Sequence, residues 1–525
     1  MSAVYQEYEA QEFARMYGGE EATTRAQDES EGQAIVTALS PPDALDVFSP
    51  ASPLIPSRFE PEVLDVLLKA NQTDAGNAEC MVKLFGDHLR YCHTRRKWFV
   101  WDGVRWRVDD RSISLRAAVL VARARQQAAV HAEDIDARRK LFNWAVGSEN
   151  YKRAGETLKM AQSLPPFATR IDQFDADPLL ATVTNGTLDL RGGDFRRSRT
   201  DDFLTMQLGA EYVRGADAPR WRQFLDEVFG GDEELIDYVQ RAVGYSLSGE
   251  TSEQVLFLCY GHGANGKSVF LGVLSQLLGD YAGAASFETF DAGRRSEASN
   301  DLAGLKGKRL VTVIETEEDR RLAEAKVKAV TGEDVISCRF LYGEYFTYRP
   351  QFKIWMAMNH KPAIRGTDRG IWRRIRVVPF TQSFEGREDR ALKAKLHAEL
   401  SGILNWALEG LTKWRESGLS LPKAVQDATE EYRRESDSVG LWIEERTYKA
   451  AAAHLKAGNA YQDYSEWATR RGERPLSQRN WGLSMVERGY KREHSRNGNI
   501  YVGVGLGQED VNGVKGVRGL LGNAP

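Results

Sequence analysis

The chain has 525 residues, 42% of them hydrophobic, with a formal net charge of −4. That length and composition allow about three or four globular domains, and the charge excludes a global basic field for nucleic acid, so any such surface must be local. Four cysteines (Cys80, Cys92, Cys259, Cys338) have no metal-like spacing and suit a reducing cytoplasm rather than a disulfide framework. Cys259 and Cys338 lie in apolar segments and read as small core residues. No run of about 18 apolar residues is present, so no membrane span is expected. The start lacks the basic-then-apolar pattern of a secretory leader, so a cytoplasmic location is expected.

In chain order, residues 1–76 read as an acidic, disordered arm: the first sixty hold eleven Asp/Glu against three Lys/Arg, and Ser-Pro steps interrupt any periodicity. Residues 77–215 read as a first α+β domain. Within it, Lys97 to Arg107 predicts a hairpin turning at Asp102-Gly103. Trp98, Trp101 and Trp106 alternate there with Arg95, Arg96, Arg105 and Arg107. Such a cluster can stack bases; a tryptophan-rich small core with a basic rim is the preferred reading. A long helical stretch over about 114–162 follows, then short strands near 185–190 with a turn at 191–193. Residues 216–250 predict a helical linker. Strand–helix alternation over 251–391 marks an α/β core, and helices dominate 392–447. Residues 448–506 read as helix, helix and hairpin, with Ser477 capping the second helix and Asn497-Gly498 at the hairpin tip; this is winged-helix composition. The Gly-rich tail, 507–525, is expected to be flexible.

The most specific signal is Gly261-His262-Gly263-Ala264-Asn265-Gly266-Lys267-Ser268, which matches G-x-x-x-x-G-K-[ST]. An apolar strand (254–260) precedes it. A helix with apolar pairs every four residues follows and stops at Gly279. Strand, glycine loop and helix is the context this motif requires. The loop's N–H groups would face phosphate oxygens, Lys267 would reach the β- and γ-phosphates, and the Ser268 hydroxyl would bind Mg²⁺. The expected ligand is a nucleoside triphosphate, ATP, with Mg²⁺.

Further signals surround this loop. Lys308 to Glu315 is a buried strand ending in a carboxylate that can hold the Mg²⁺ shell, and an acid in the Thr316–Asp319 turn could orient a water. Val335 to Pro350 reads as a hairpin on which Arg339 and Arg349 flank Tyr342, Tyr345 and Tyr348, a composition that suits contacts to a single strand. A third strand, 351–358, ends at Asn359, whose amide can bond a γ-phosphate oxygen and the attacking water. Arg365, Arg369, Arg373, Arg374 and Arg376 then crowd the approach to a fourth strand. An arginine fixed at a subunit edge can reach a neighbour's γ-phosphate, an effect of about 10³–10⁵ in rate.

In this order the set resembles superfamily 3 helicases, and within them the C-terminal helicase region of phage and plasmid primases and poxvirus-type NTPases. The resemblance covers roughly residues 77–505. It implies an α/β fold: an AAA-type P-loop ATPase core (251–391) with an upstream α+β, helicase-associated domain, a helical collar and a C-terminal winged-helix-like DNA-binding domain. It implies a homo-oligomeric ring, a hexamer, that translocates on single-stranded DNA and unwinds forked DNA. By this carry-over Lys267 and Ser268 bind phosphate and metal, Glu315 holds the metal, Asn359 is the sensor, and Arg373 or Arg374 is the finger acting in trans. The hairpin, with Arg339, Tyr342, Tyr345 and Arg349, contacts DNA. The sequence departs from the wider superfamily twice: Thr316 stands where a second acid is common, which makes Glu317 the candidate base, and the hairpin tip is Tyr342-Gly343-Glu344 rather than a Lys-His pair. The stretch before residue 77 is too short for a polymerising primase domain. No primase activity is therefore expected, and a separately encoded primase or polymerase is an expected partner. The alternatives are an ATP-switched replication initiator or loader and, more weakly, a small-molecule kinase.

Overall fold

The computed structural model describes residues 59–292, 299–315, 320–341, 343–364, 369–387, 389–495 and 498–507. The described residues form a mixed α/β fold with five sheets. The strands are β1 (Leu89–Cys92), β2 (Lys97–Trp101), β3 (Trp106–Val108), β4 (Ala168–Thr169), β5 (Leu180–Val183), β6 (Gly186–Asp189), β7 (Asp194–Arg196), β8 (Leu256–Tyr260), β9 (Ala282–Ser286), β10 (Leu310–Glu315), β11 (Ile336–Cys338), β12 (Phe346–Tyr348), β13 (Lys353–Met358), β14 (Ile375–Pro379), β15 (Thr447–Lys456), β16 (Arg492–Ser495) and β17 (Gly498–Leu506). Among the described residues no helix is long and apolar enough to cross a membrane.

The folded N-terminal region begins earlier than residue 77. Helices Pro61–Lys69 and Asp74–Phe85 occupy what the composition marked as the end of the arm. Phe59 and Leu67 are buried with residues of the helix Ile113–Ala129. The guanidinium of buried Arg125 holds the carbonyls of Ala70 (2.6 Å) and Asn71 (3.1 Å), which fixes the turn between the two helices. Residues 1–58 of the expected arm lie outside the described residues. The helical stretch at 114–162 is three helices, Ile113–Ala129, Ile135–Ser148 and Tyr151–Ala161. Asp134 and Asn150 break it: each side chain accepts an N–H of the following turn, the capping geometry that starts a new helix.

The predicted tryptophan hairpin is β2–β3, paired at Trp101↔Trp106. Trp98, Trp101 and Trp106 are all buried, so the rings form core, and no described tryptophan face of this hairpin is open for a base.

The central sheet has the order β14-β8-β13-β10-β9, and every described pairing in it is parallel. Parallel strands need both faces covered, and alternate residues do divide between two cores. Phe257 and Cys259 of β8 and Trp355 and Ala357 of β13 face a cluster built with helices Pro219–Phe229, Glu233–Leu247, Lys267–Leu278 and Leu400–Ser417. Leu256 and Leu258, with Ile354, Met356 and Met358, face a second cluster that includes Val327, Cys338, Tyr348, Trp372 and Tyr432. All four cysteines are free and buried, as their apolar surroundings implied for Cys259 and Cys338.

Two buried cations tie the upstream region to the amino ends of the sheet. Arg309 donates to the carbonyls of Leu247 (2.8 Å) and Leu180 (2.5 Å) and lies 4.2 Å from the Tyr281 ring centre. Lys353 donates to the carbonyls of Ser248 and Glu250. Their positive charge is matched by carbonyl oxygens that would otherwise be buried unsatisfied.

At the C-terminus, β15-β17-β16 form an antiparallel sheet against helices Ser438–Arg446, Ala457–Arg470 and Gln478–Glu487. Ser477 caps the last helix through the Asn480 N–H. Strand β15 was not expected. Its run Ala450–Ala453 lacks strand-forming side chains; the flanking residues Thr447–Lys449 and His454–Lys456 pair with β17, and the register shifts across the alanines.

Candidate functional site

The loop Gly261–Gly266 joins β8 to the helix Lys267–Leu278 at the carboxyl end of the parallel sheet. Open α/β sheets bind ligands at that end. A box of aromatic rings holds the helix: Phe270 packs against Trp221 (5.8 Å), Trp355 (5.6 Å) and Phe380 (5.8 Å). The loop itself depends on two glycines. Gly266 has φ +85° and a Cβ there would lie 2.7 Å from Val228 Cγ1. A Cβ on Gly261 would lie 2.2 Å from the Phe380 carbonyl oxygen. Segment 380–384 runs along the loop, with Phe380 N–H donating to Tyr260 O (2.8 Å) and Phe384 N–H to Ala264 O (2.7 Å).

Lys267 is buried. Its ammonium donates to Asn265 Oδ1 (3.0 Å), to Asn359 Oδ1 (3.1 Å) and to the Gly261 carbonyl. Burial pushes its pKa below the ordinary lysine value, with the Cys259 thiol a smaller, opposing influence. The structure therefore brings together the loop lysine and the strand-end asparagine, residues separated by 92 positions. Register places Glu315 in the same row: Glu315 pairs with Met358, and Met358 with Tyr260. The Glu315 backbone thus ends two strands from the loop, about 10 Å away. Glu317 and Tyr342 lie outside the described residues.

A cavity of about 380 Å³ opens over the loop. Its floor is Gly263–Val269 and Asn359; its far wall is Arg220, Phe224 and Glu227 from the helix Pro219–Phe229, with Phe384, Arg387, Asp389 and Leu392. Arg220 pairs with Glu227 (3.1 Å). The sequence reading did not single out these wall residues. They come from segments about forty residues before and 120 after the loop, and no local motif marks them. Among the described residues no three His, Cys, Asp or Glu side chains gather as a metal cage.

The arginine cluster sits elsewhere. Arg373 and Arg374 precede β14, level with Gln254 at the amino end of β8, so about 20 Å of strand separates them from the loop of the same chain. Arg374 is buried; it donates to Thr331 Oγ1 (3.2 Å) and to the Gly370 carbonyl (2.6 Å). Arg373 is exposed, with one bond to Gln254 Oε1 (2.8 Å). Of the two arginines carried over as finger candidates, the guanidinium of Arg374 is committed inside its own chain.

The predicted hairpin is β11–β12, paired from Ile336↔Tyr348 to Cys338↔Phe346. Tyr348, buried, donates to the Leu302 carbonyl and anchors the hairpin base. Arg339, Tyr345 and Arg349 are exposed, and Arg339 lies 4.8 Å from the Tyr345 ring centre.

Residues 78–230 match the family model described as "D5 N terminal like", and residues 259–374 match a "Family of unknown function (DUF5906)". The chain is 28% identical over 414 residues to a "putative helicase" of Acanthamoeba polyphaga mimivirus, covering 70% of this chain and 43% of that one. It is 23% identical over 363 residues to a "putative helicase" of Invertebrate iridescent virus 3, covering 62% of this chain and 38% of that one. It is 24% identical over 238 residues to a "putative primase" of African swine fever virus, covering 41% of this chain and 25% of that one. It thus spans about two fifths of the length of the two helicase relatives. A solved structure of the NrS-1 C-terminal region superposes with a TM-score of 0.46 at 8% identity, covering 83% of this chain and all of that one. By these matches the chain is similar to "putative helicase" proteins and a "putative primase" of DNA viruses. Within those similarities, residues 78–230 resemble the D5 N-terminal region, and the likeness to the "putative helicase" of mimivirus extends over 414 residues.

Proposed function

We propose that this chain is the ATP-driven motor region of a replicative DNA helicase, with an AAA-type core that tracks along single-stranded DNA as a ring. The observation that carries the reading is the bond from Lys267 to Asn359 across adjacent strand ends. A lysine and an asparagine converging on one glycine loop are the pair needed to hold a γ-phosphate and position the attacking water.

The residues fit a nucleotide. The loop has no room for a Cβ at Gly261 or Gly266, it opens onto the cavity at Gly263, and its N–H groups sit at a helix N-terminus that favours phosphate. Lys267 would exchange its loop carbonyl for β- and γ-phosphate oxygens. Ser268 and Glu315 would share Mg²⁺, an ion that keeps most of its shell as water and phosphate and needs few protein ligands. Glu317 is the candidate base that orients water. Phe224 and Leu392 offer the apolar wall against which a base can pack. Arg373 is the candidate finger for a neighbouring subunit, because strand length keeps it from the loop of its own chain. Arg339, Tyr342, Tyr345 and Arg349 would meet the DNA strand. The C-terminal unit, with helices Ala457–Arg470 and Gln478–Glu487 beside a β-ribbon, supports a winged-helix-like DNA contact.

The test is strand displacement on a forked duplex. The wild-type chain should separate the strands with ATP and Mg²⁺, and Lys267→Ala should abolish both displacement and ATP turnover. Displacement that survives Lys267→Ala would refute the motor.

A further inference from the structure

The loop of the β11–β12 hairpin exposes more apolar surface than a turn needs. Phe340 is 53% exposed, Leu341 70% and Tyr345 63%. They are not loose: the Gly343 N–H donates to the Phe340 carbonyl (2.8 Å), closing a tight turn, and the Leu341 N–H donates to Asn300 Oδ1 (3.0 Å). The Phe340 ring stacks on Phe346 with centroids 5.7 Å apart and planes 29° from parallel. Phe346 is half-buried, and Lys306 Nζ lies 5.5 Å from its ring centre. Arg339, beside Phe340, reaches across the hairpin to lie 4.8 Å from the Tyr345 ring centre. Two exposed aromatic rings are thus held by contacts within the hairpin, Phe340 by its stack on Phe346 and Tyr345 by Arg339. Glu344 is the one acid between Arg339 and Tyr345.

We infer that Phe340, with Tyr345, is a base-stacking platform, so that the hairpin grips single-stranded DNA by its bases as well as by phosphate contacts. This rests on the reading of the hairpin as the strand-contacting element and adds a residue and a mode of contact to it. The physical case is complementarity. Every base has a π-face that stacks on an aromatic ring whatever the sequence, Arg339 and Lys306 supply positive charge for the backbone, and the stack on Phe346 has already restricted the Phe340 ring. The tip carries no Lys-His pair, and stacking replaces a point charge there.

The experiment measures binding of a fluorescent single-stranded oligonucleotide carrying 2-aminopurine, and of its abasic counterpart, at several salt concentrations. Phe340→Ala should weaken binding to the base-bearing strand about ten-fold without changing the salt slope, and should abolish the quenching of 2-aminopurine. Phe340→Trp should restore both. Arg339→Ala should instead lower the salt slope. On the abasic strand the wild type and Phe340→Ala should bind alike. Equal affinity of the wild type and Phe340→Ala for the base-bearing strand overturns the platform while leaving the hairpin reading intact. A change in particle mass with ATP and none in strand affinity also overturns it, since the rings would then face a second copy of the chain. Failure of the wild type to bind any single strand removes the DNA reading as well, and is thereby distinguished from failure of the stacking alone.

Discussion

The loop at 261–268 and the hairpin at 336–348 stand in opposite states of completion. At the loop, Lys267 is buried and bonded to groups of its own chain, and an aromatic box fixes the helix beneath it. At the hairpin, Phe340, Leu341 and Tyr345 are held in place but uncovered. The loop lysine is satisfied by groups of its own chain, whereas the hairpin rings leave more than half of their surface open. The arginines before β14 repeat the contrast at the scale of two neighbours that share Gln254 Oε1: Arg374 is buried on Thr331 and Gly370, while Arg373 is exposed. The proposed motor, which would bind nucleotide at one region and a DNA strand at the other, would use both.

The largest effect that would break this comparison belongs to Arg373. As a finger acting on a neighbour's nucleotide, Arg373→Ala should lower ATP turnover by about 10³–10⁵. Mixing it with Lys267→Ala chains should return part of the activity, because some interfaces then pair an intact loop with an intact arginine. Steady-state turnover across mixing ratios is the measurement, and strict additivity would assign Arg373 to its own chain. Next in size, Gly266→Ala should cost about 1–3 kcal/mol of stability, since it puts a side chain at positive φ and against Val228. Chemical denaturation reads that loss, and an unchanged midpoint would mean the loop relaxes freely. Arg374→Ala should cost about 1–3 kcal/mol as well, by leaving the Thr331 hydroxyl and the Gly370 carbonyl short of a donor. If it kept full stability and instead lost turnover as Arg373→Ala is expected to, the two arginines would exchange roles. The ten-fold effect at Phe340 is the smallest and sharpens the hairpin side.

How much of this the sequence disclosed depended on how local each signal was. The glycine loop is eight consecutive residues between an apolar strand and an amphipathic helix, so its fold is written where it stands. The strand ending at Glu315 and the strand before Asn359 were legible as short apolar runs, though that Asn359 reaches Lys267 follows only from the order of strands in the sheet. The cavity wall from Arg220, Phe224, Arg387 and Leu392 was illegible, because it forms where distant segments cross. The helices at 61–85 were hidden by the acidic stretch that precedes them, and they are held by Arg125 and by packing of Leu67 and its apolar neighbours into the core of the helix Ile113–Ala129. Strand β15 was hidden for the converse reason: its alanines favour helix, and the pairing that sets the strand lies on either side of them, at Thr447–Lys449 and His454–Lys456.

In the proposed function the loop turns over ATP in response to a strand held elsewhere on the molecule. The direct measurement is ATP turnover as a function of added single-stranded oligonucleotide at fixed ATP and Mg²⁺. A saturable rise in turnover, reduced in Phe340→Ala and absent in Lys267→Ala, is the predicted result. Turnover that is unchanged at every oligonucleotide concentration would contradict the coupling on which the account stands.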